Sequence, residues 1–281
     1  MLAIVGGTGL YELAGLQIEQ RLAAETPFGA PSAELVLGRW HGVPLIFLAR
    51  HGAGHRLLPH EVNYRANVFA LKQAGATMLL GVSAVGSLAQ ELAPGELVMP
   101  EQYFDWTRGR REGTFFGRGV AAHVSTARPV SAALVGAVQS AAAAQGIRVH
   151  RGLTYACVEG PRLGTQAESH FMRQAGCHLV GMTNVPEAFL AREAQMAYAT
   201  LGIVTDYDCW LDDPEQHVSV AALMARYGRS LGRVQSVLEA LIQRPLPEPE
   251  PETRQALASA VMTAESALDE GQLAWLAVLR R

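Results

Sequence analysis

The stretch Leu2–Gly9, LAIVGGTG (2–9), is a four-residue apolar run that passes directly into a glycine-rich turn. The run is too short for a stable helix and reads as a buried strand. The same grammar recurs along the chain. PLIFLA (44–49) leads into Arg50-His51-Gly52, and the MLLGV of the run MLLGVSA (78–84) into Ser83-Ala84-Val85-Gly86-Ser87, while ELVMP (96–100) and ATLGIVTD (199–206) complete the set. Between them lie helix-like stretches. HEVNYRANVFALKQAG opens after Pro59 and closes at Gly75. PVSAALVGAVQSAAAAQG carries Pro129 near its start and Gly146 at its end, and TQAESHFMRQAG, PEAFLAREAQMA and roughly 219–243 follow. Such alternation predicts an α/β fold of three layers, α/β/α, around a central mixed β-sheet.

Composition bounds the class. In 281 residues, 49% are hydrophobic and 17% charged, enough for a sizeable core. The net charge of -3 comes with scattered arginines and one lysine, Lys72, which argues against nucleic acid as a partner. Arg110-Arg111 is the densest internal basic spot, and a solvated loop explains it about as well as any partner. Three cysteines without metal spacing fit reduced thiols. Without a basic leader or a long apolar run, the expected setting is cytoplasmic and no membrane is expected as a partner.

RPLPEPEPE (244–252) reads as an extended linker. It separates residues 1–243 from a tail, 253–281, expected to be an amphipathic helix interrupted near Gly271. Leu273, Trp275, Leu276 and Leu279 form its apolar side, to be buried on the chain's own core or on a neighbouring subunit.

In open α/β sheets, ligands bind beyond the carboxyl ends of the strands. Three glycine- and hydroxyl-rich turns placed there, with one arginine, suit an anion. GGTG alone is an ordinary tight turn, neither a dinucleotide fingerprint nor a P-loop. A second cluster, Thr205-Asp206-Tyr207-Asp208-Cys209-Trp210, follows the last apolar run. At strand spacing Asp206 and Asp208 share a face, and mutual repulsion would favour a protonated acid. A bare D-x-D is also explained by a loop pair that binds nothing. His51, His55 and His60 lack the glutamate of a zinc helix, and no metal site is expected.

Together these segments resemble the trimeric purine nucleoside phosphorylase family, most of all its methylthioadenosine phosphorylase branch. The resemblance covers residues 1 to about 240 and is carried by GGTGL (6–10), TPFGAPS (26–32), ARHGAGH (49–55), VNYRAN (62–67), SAVGSL (83–88), EGPRLGTQAES (159–169), GMTNVPEA (181–188) and TDYDCW (205–210). It implies a nucleoside phosphorylase-like fold and a phosphate site of Thr8, Arg50, His51, Ser83, Ala84 and Thr183. Ser83 replaces a threonine common in that branch and keeps the hydroxyl. Met182 would pack on the ribose, and Leu163 stands where relatives place an aromatic against the base. Asp206 and Asp208 would read the purine edge, and a protonated Asp206 would donate to the purine nitrogen at position 7. Val220, Leu223 and Met224 would line the 5′-methylthio pocket, and His123 would reach a neighbouring subunit's site in a homotrimer.

The implied reaction is phosphate-dependent cleavage of 5′-methylthioadenosine to adenine and 5-methylthioribose 1-phosphate. Inorganic phosphate is then a co-substrate, and no metal or organic cofactor is needed. Aspartate at 206, where 6-oxopurine members carry asparagine, favours a 6-amino group. HGAGHRLLPHEVNYRAN (51–67) also resembles bacterial methylthioinosine phosphorylases, which keeps a 6-oxopurine nucleoside phosphorylase as the alternative. A nucleoside hydrolase and a non-catalytic nucleotide sensor are the remaining readings.

Overall fold

A computed structural model describes residues 1–211 and 220–281, with the side chains of 220–227 and 229 outside the description. The expected strand LAIV becomes β1 (Leu2–Gly6), central in a nine-stranded mixed sheet. Its neighbours are β4 (Val43–Ala49) and β5 (Met78–Ser87), both parallel to it. β9 (Ala197–Asp206) lies parallel to β5 on the latter's other side. The carboxyl ends of these strands therefore share one rim, as the strand–turn grammar requires.

Side chains alternate across the sheet. Leu2 and Ile4 enter one core cluster while Ala3 and Val5 enter another. The first cluster is covered by α2 (Ala132–Ala144) and α5 (Val220–Ile242). The second is covered by α1 (Tyr64–Gln73), α4 (Asn184–Glu193) and α7 (Glu270–Leu279), while α3 (Gln166–Gln174) buries Met172 in a smaller cluster with Leu88 and Ala156. Helices on both faces make the expected three layers. They also explain why the strands read as continuous apolar runs rather than alternating ones.

Four strands escaped the sequence. β2 (Gln17–Leu22) is exposed along nearly its whole length and pairs antiparallel with β3 (Leu35–Trp40), so it has no apolar period to detect. β7 (Val149–Val158) carries His150, Arg151 and Gly152 after its first residue, and β8 (Leu179–Gly181) has three residues. β6 (Leu97–Trp106) extends six residues past the expected end, slipping its register on either side of Pro100, which has no N–H for the ladder. The β5–β8, β8–β7, β7–β6, β6–β9 and β9–β5 pairings close this half of the sheet into a ring.

Two helix expectations are corrected. α1 begins at Tyr64 rather than after Pro59, because the Asn63 side chain accepts from the Ala66 N–H and sets the cap there. The tail is not one interrupted helix. It has one turn, α6 (Pro251–Arg254), irregular chain, and then α7, with Gly271 inside the first turn of α7 and Asp269–Gln272 forming its capping box. Trp275, Leu276, Val278 and Leu279 are buried in the second core cluster, and Trp275 meets the rings of Phe28 and Phe116. Leu273, expected on the buried side, is 38% exposed. The Pro/Glu-rich segment is held as well, since Glu250 Oε1 accepts from Ser131 Oγ and the Ala133 N–H at the start of α2.

Glu193, in the last turn of α4 (whose opposite end lies at the cleft), accepts from Thr114 Oγ1 at 2.7 Å and the Phe115 N–H at 2.8 Å. Burial raises its pKa to about 7, against the opposing pull of those two hydrogen bonds. A carboxyl raised in the folded state binds more protons than in the unfolded chain. Its contribution to stability is therefore full in acid and is lost as pH climbs from the ordinary carboxylate range through about 7. Glu193→Gln can keep both contacts without charging. Its melting temperature is expected to gain on that of the parent protein steadily between acid and mildly alkaline pH. A difference that does not vary with pH would refute the assignment.

Candidate active site

The rim gathers one cleft of about 340 Å³. Its lining includes Thr8, Arg50, His51, Ser83, Ala84, Met182, Thr183, Leu163, Asp206 and Asp208. Ten of the residues singled out by sequence thus converge, drawn from within β5, from the end of β9 and the turn after it, and from the segments after β1, β4, β7 and β8. The turn expected over Ser83–Ser87 is instead the second half of β5, because its backbone pairs with β9 on one side and β8 on the other.

The end near β1 and β4 is built around Arg50. Its backbone N–H donates to the Gly6 carbonyl, which docks the two strand ends together. The guanidinium is fully buried and spends Nε and Nη2 on the two Glu187 oxygens, at 2.7 and 2.8 Å, and Nη1 on the Val82 carbonyl at 2.9 Å. Burial alone would lower its pKa, but the Glu187 carboxylate outweighs that and holds it above the usual arginine value. Tyr198 Oη in turn donates to Glu187 Oε1 at 3.0 Å. Two glycines make the space. A Cβ on Gly7 would sit 2.5 Å from the Val82 oxygen, and one on Gly81 2.9 Å from Glu187 Oε1. Glycine in GGTG therefore serves close approach rather than a turn alone.

His51 Nδ1 lies 2.8 Å from the Leu57 carbonyl. A carbonyl only accepts, so Nδ1 carries the proton. Burial, then the neighbouring Arg50 charge, push the ring's pKa down to about 4. Ser83 Oγ donates to Asn184 Oδ1 at 3.0 Å and lies 3.4 Å from Thr183 Oγ1. The β5–β8 register accounts for this meeting: Gly86 pairs with Val180 and Ser87 with Leu179, so the antiparallel chains continue until Thr183 faces Ser83.

The other end holds Asp206, which is 6% exposed. Its Oδ1 accepts from the Asp208 N–H at 2.7 Å, and its Oδ2 lies 2.5 Å from Thr205 Oγ1. The shared face expected from strand spacing is corrected here. β9 stops at Asp206, and Asp208 turns away with φ +52°. What couples the two residues is therefore a backbone N–H rather than strand alternation. Gly86 keeps this corner open, since a Cβ there would lie 3.1 Å from Asp206 Oδ1. Trp210 Nε1 donating to the Ser87 carbonyl and Cys209 Sγ donating to the Gly164 carbonyl tie the turn down.

His123 does not join the cleft within this chain. It follows the Gly117–Val120 turn, and its N–H donates to the Ala260 carbonyl beside a separate surface depression. Val220, Leu223 and Met224 fall in the first two turns of α5, and their side chains lie outside the described residues.

Sequence reasoning missed Glu187, Arg111 and the apolar wall of Leu58, Pro59, Val158 and Val180. Arg111 is not in a solvated loop. Its side chain is buried, pairs with Glu159 at 2.9 Å, and donates to the Met182 and Val185 carbonyls at 2.6 and 2.8 Å. It thereby holds the chain on either side of Thr183. Acceptors gathered from such distant segments around one arginine leave no local sequence mark. Among the described residues no group of three or more His, Cys, Asp and Glu is placed to hold a metal ion, and no helix is long and apolar enough to cross a membrane.

Fold and cleft together define an α/β protein that can hold an anion at one end and the polar edge of a heterocycle at the other. The family model described as the phosphorylase superfamily matches residues 1–243. The S-methyl-5′-thioadenosine phosphorylase of Geobacter sulfurreducens is 46% identical over 268 residues, covering 95% of this chain and 93% of that protein. Its Rhodospirillum rubrum counterpart is 47% identical, covering 94% and 90%. Among solved structures, a methylthioadenosine phosphorylase sourced from an antarctic soil metagenomic library superposes with a TM-score of 0.91 at 42% identity, covering 99% and 98%. The methylthioadenosine phosphorylase of Schistosoma mansoni in complex with adenine gives 0.83 at 36% identity, covering 86% and 90%. The chain belongs to the phosphorylase superfamily.

Proposed function

We propose that this protein cleaves 5′-methylthioadenosine with inorganic phosphate, releasing adenine and 5-methylthioribose 1-phosphate. The observation that carries this reading is a cleft with an arginine–hydroxyl cradle at one end and a buried aspartate at the other. The relatives' names agree with it. Phosphate held by Thr8, Arg50, His51, Ser83, the Ala84 backbone and Thr183 attacks the anomeric carbon of the ribose. The glycosidic bond breaks through an oxocarbenium-like state, and its electron pair leaves with the purine. Met182 packs on the ribose.

Asp206 meets the departing charge as a general acid. Thr205 Oγ1 lies 2.5 Å from Asp206 Oδ2 and 3.1 Å from the Val85 carbonyl, and its hydroxyl donates to the carboxyl oxygen. The proton of the acid form of Asp206 passes to the purine nitrogen at position 7 as the glycosidic bond breaks, and the carboxylate left behind accepts from Thr205 Oγ1, the Asp208 N–H and a 6-amino group. No metal or organic cofactor enters this scheme. Residues 1–243 form the catalytic unit, the apolar 5′ lining falls to Val220, Leu223 and Met224, and a homotrimer would bring His123 to a neighbour's cleft.

The test is base release from methylthioadenosine, methylthioinosine and inosine, each with and without phosphate. Release that depends on phosphate and is fastest with methylthioadenosine is expected. Undiminished release without phosphate would make the protein a hydrolase, and a preference for methylthioinosine would overturn the reading of Asp206.

Leu163 lines the cleft and is 50% exposed, so the base lacks an aromatic face there. Leu163→Phe should add stacking of about 1 kcal/mol, lowering the nucleoside KM roughly fivefold. An unchanged KM would place the base elsewhere.

A further inference from the structure

We propose that the cleft takes its phosphate as the monoanion H2PO4−, with a phosphate hydroxyl donating to Nε2 of a neutral His51. This rests on the phosphorolysis reading and adds which ionic form of the co-substrate is used.

The first ground is charge. Arg50 is the cation of the cradle, and both Glu187 oxygens are already on it, with the pair buried together. The groups that act on His51 come from several elements. Arg50 precedes it on the chain, and His55 from the following turn stacks on its ring at 4.3 Å with its own pKa lowered by burial. Arg111 acts from the loop after β6 and is paired with Glu159. Asp206 and Asp208 stand at the far end of the same cleft. Among the described residues each cation near the cradle therefore has its own carboxylate. Thr8, Ser83 and Thr183 add neutral hydroxyls, and the N-terminus of α4 adds about half a charge at most. A second negative charge on the phosphate would be desolvated here with no cation to receive it.

The second ground is the count of donors and acceptors. His51 Nδ1 is committed as a donor to the Leu57 carbonyl. In the neutral ring Nε2 is then an acceptor. No described residue hydrogen-bonds Nε2, and the ring lines the cleft. A phosphate dianion would set an oxygen lone pair against that of Nε2. The monoanion has a hydroxyl to place there, while its unprotonated oxygens accept from Arg50 and the hydroxyls. The low pKa of His51 keeps the ring in this acceptor form across the working range.

The experiment is the phosphate KM at saturating nucleoside, followed from mildly acid to alkaline pH and repeated with thiophosphate. The KM in total phosphate should be flat in acid. It should rise about tenfold per pH unit once inorganic phosphate, near neutrality, loses the proton in question. Thiophosphate is the stronger acid, and its break should move to lower pH by the difference in acidity. Titration of a protein group would leave the break in place. Sulfate, a dianion throughout, should compete at least tenfold more weakly than phosphate in acid. A phosphate KM that is constant or falls with pH, or a break at the same pH for both ligands, would overturn the inference. Phosphate binding measured calorimetrically over the same range without nucleoside separates the two claims. Tight acid-side binding without phosphate-dependent turnover would sink phosphorolysis and leave this inference standing. Binding that strengthens in alkali would sink the inference alone.

Discussion

Glu187→Gln is expected to destabilise the protein by about 3–5 kcal/mol, because it strips the carboxylate from a buried arginine and leaves that charge uncompensated. For a chain of this size the melting temperature should fall by on the order of 10 °C. Arg50 has no solvent to turn to, and Glu187 is itself 2% exposed. Phosphate should restore a larger part of the loss in the variant than it adds to the parent protein, since the anion would then supply the missing countercharge. The cradle would also carry net positive charge, so its phosphate KM should climb less far in alkali, the His51 Nε2 lone pair still disfavouring the dianion. Thermal melts with and without phosphate check the first two expectations. An unchanged melting temperature would mean that the Arg50–Glu187 pair contributes nothing that glutamine cannot.

Asp206→Asn carries the second large effect. A positioned general acid contributes roughly 10²–10⁴ in rate, and asparagine has no proton to yield. The kcat with methylthioadenosine should fall within that span while the phosphate KM stays near its parent value, because the cradle lies at the other end of the cleft. The amide also presents N–H groups to a 6-keto oxygen, so the ratio of methylthioinosine to methylthioadenosine turnover should rise. The Asp208 N–H can still donate to the carbonyl oxygen of the introduced amide, so local geometry is retained and a folding defect is not expected. An unchanged substrate ratio would show that this side chain does not select the base.

These two residues differ in how they could be found. Asp206 follows an apolar strand in a short polar motif, and its setting can be read from a dozen neighbouring residues. Glu187 sits in the first turn of an apolar helix, 137 positions from Arg50. It looks like any acid at a helix start until the sheet brings the two together. Arg111 is the sharper case. Two adjacent arginines in a polar stretch fit a solvated loop, yet the side chain of one is buried against the chain that follows β7 and β8. Most of its partners are backbone carbonyls, and backbone acceptors carry no residue identity for sequence to reveal.

The sheet shows the same divide. β1, β4, β5 and β9 are buried on both faces, so hydrophobicity had to run unbroken through them. β2 is a polar edge strand and β8 a three-residue one, both defined by partners far along the chain.

Sequence by itself therefore determined the strands buried on both faces, the rim at their carboxyl ends, and the residue types at both ends of the cleft. Local burial and turn chemistry leave periodic and compositional marks, and these can be read in order along the chain. Only the tertiary structure decided that Arg50 is neutralised by Glu187, that His51 offers a lone pair, and that Asp208 reaches Asp206 through its backbone. Those facts depend on which distant groups meet in a dry interior, where each charge and each hydrogen bond must find a partner.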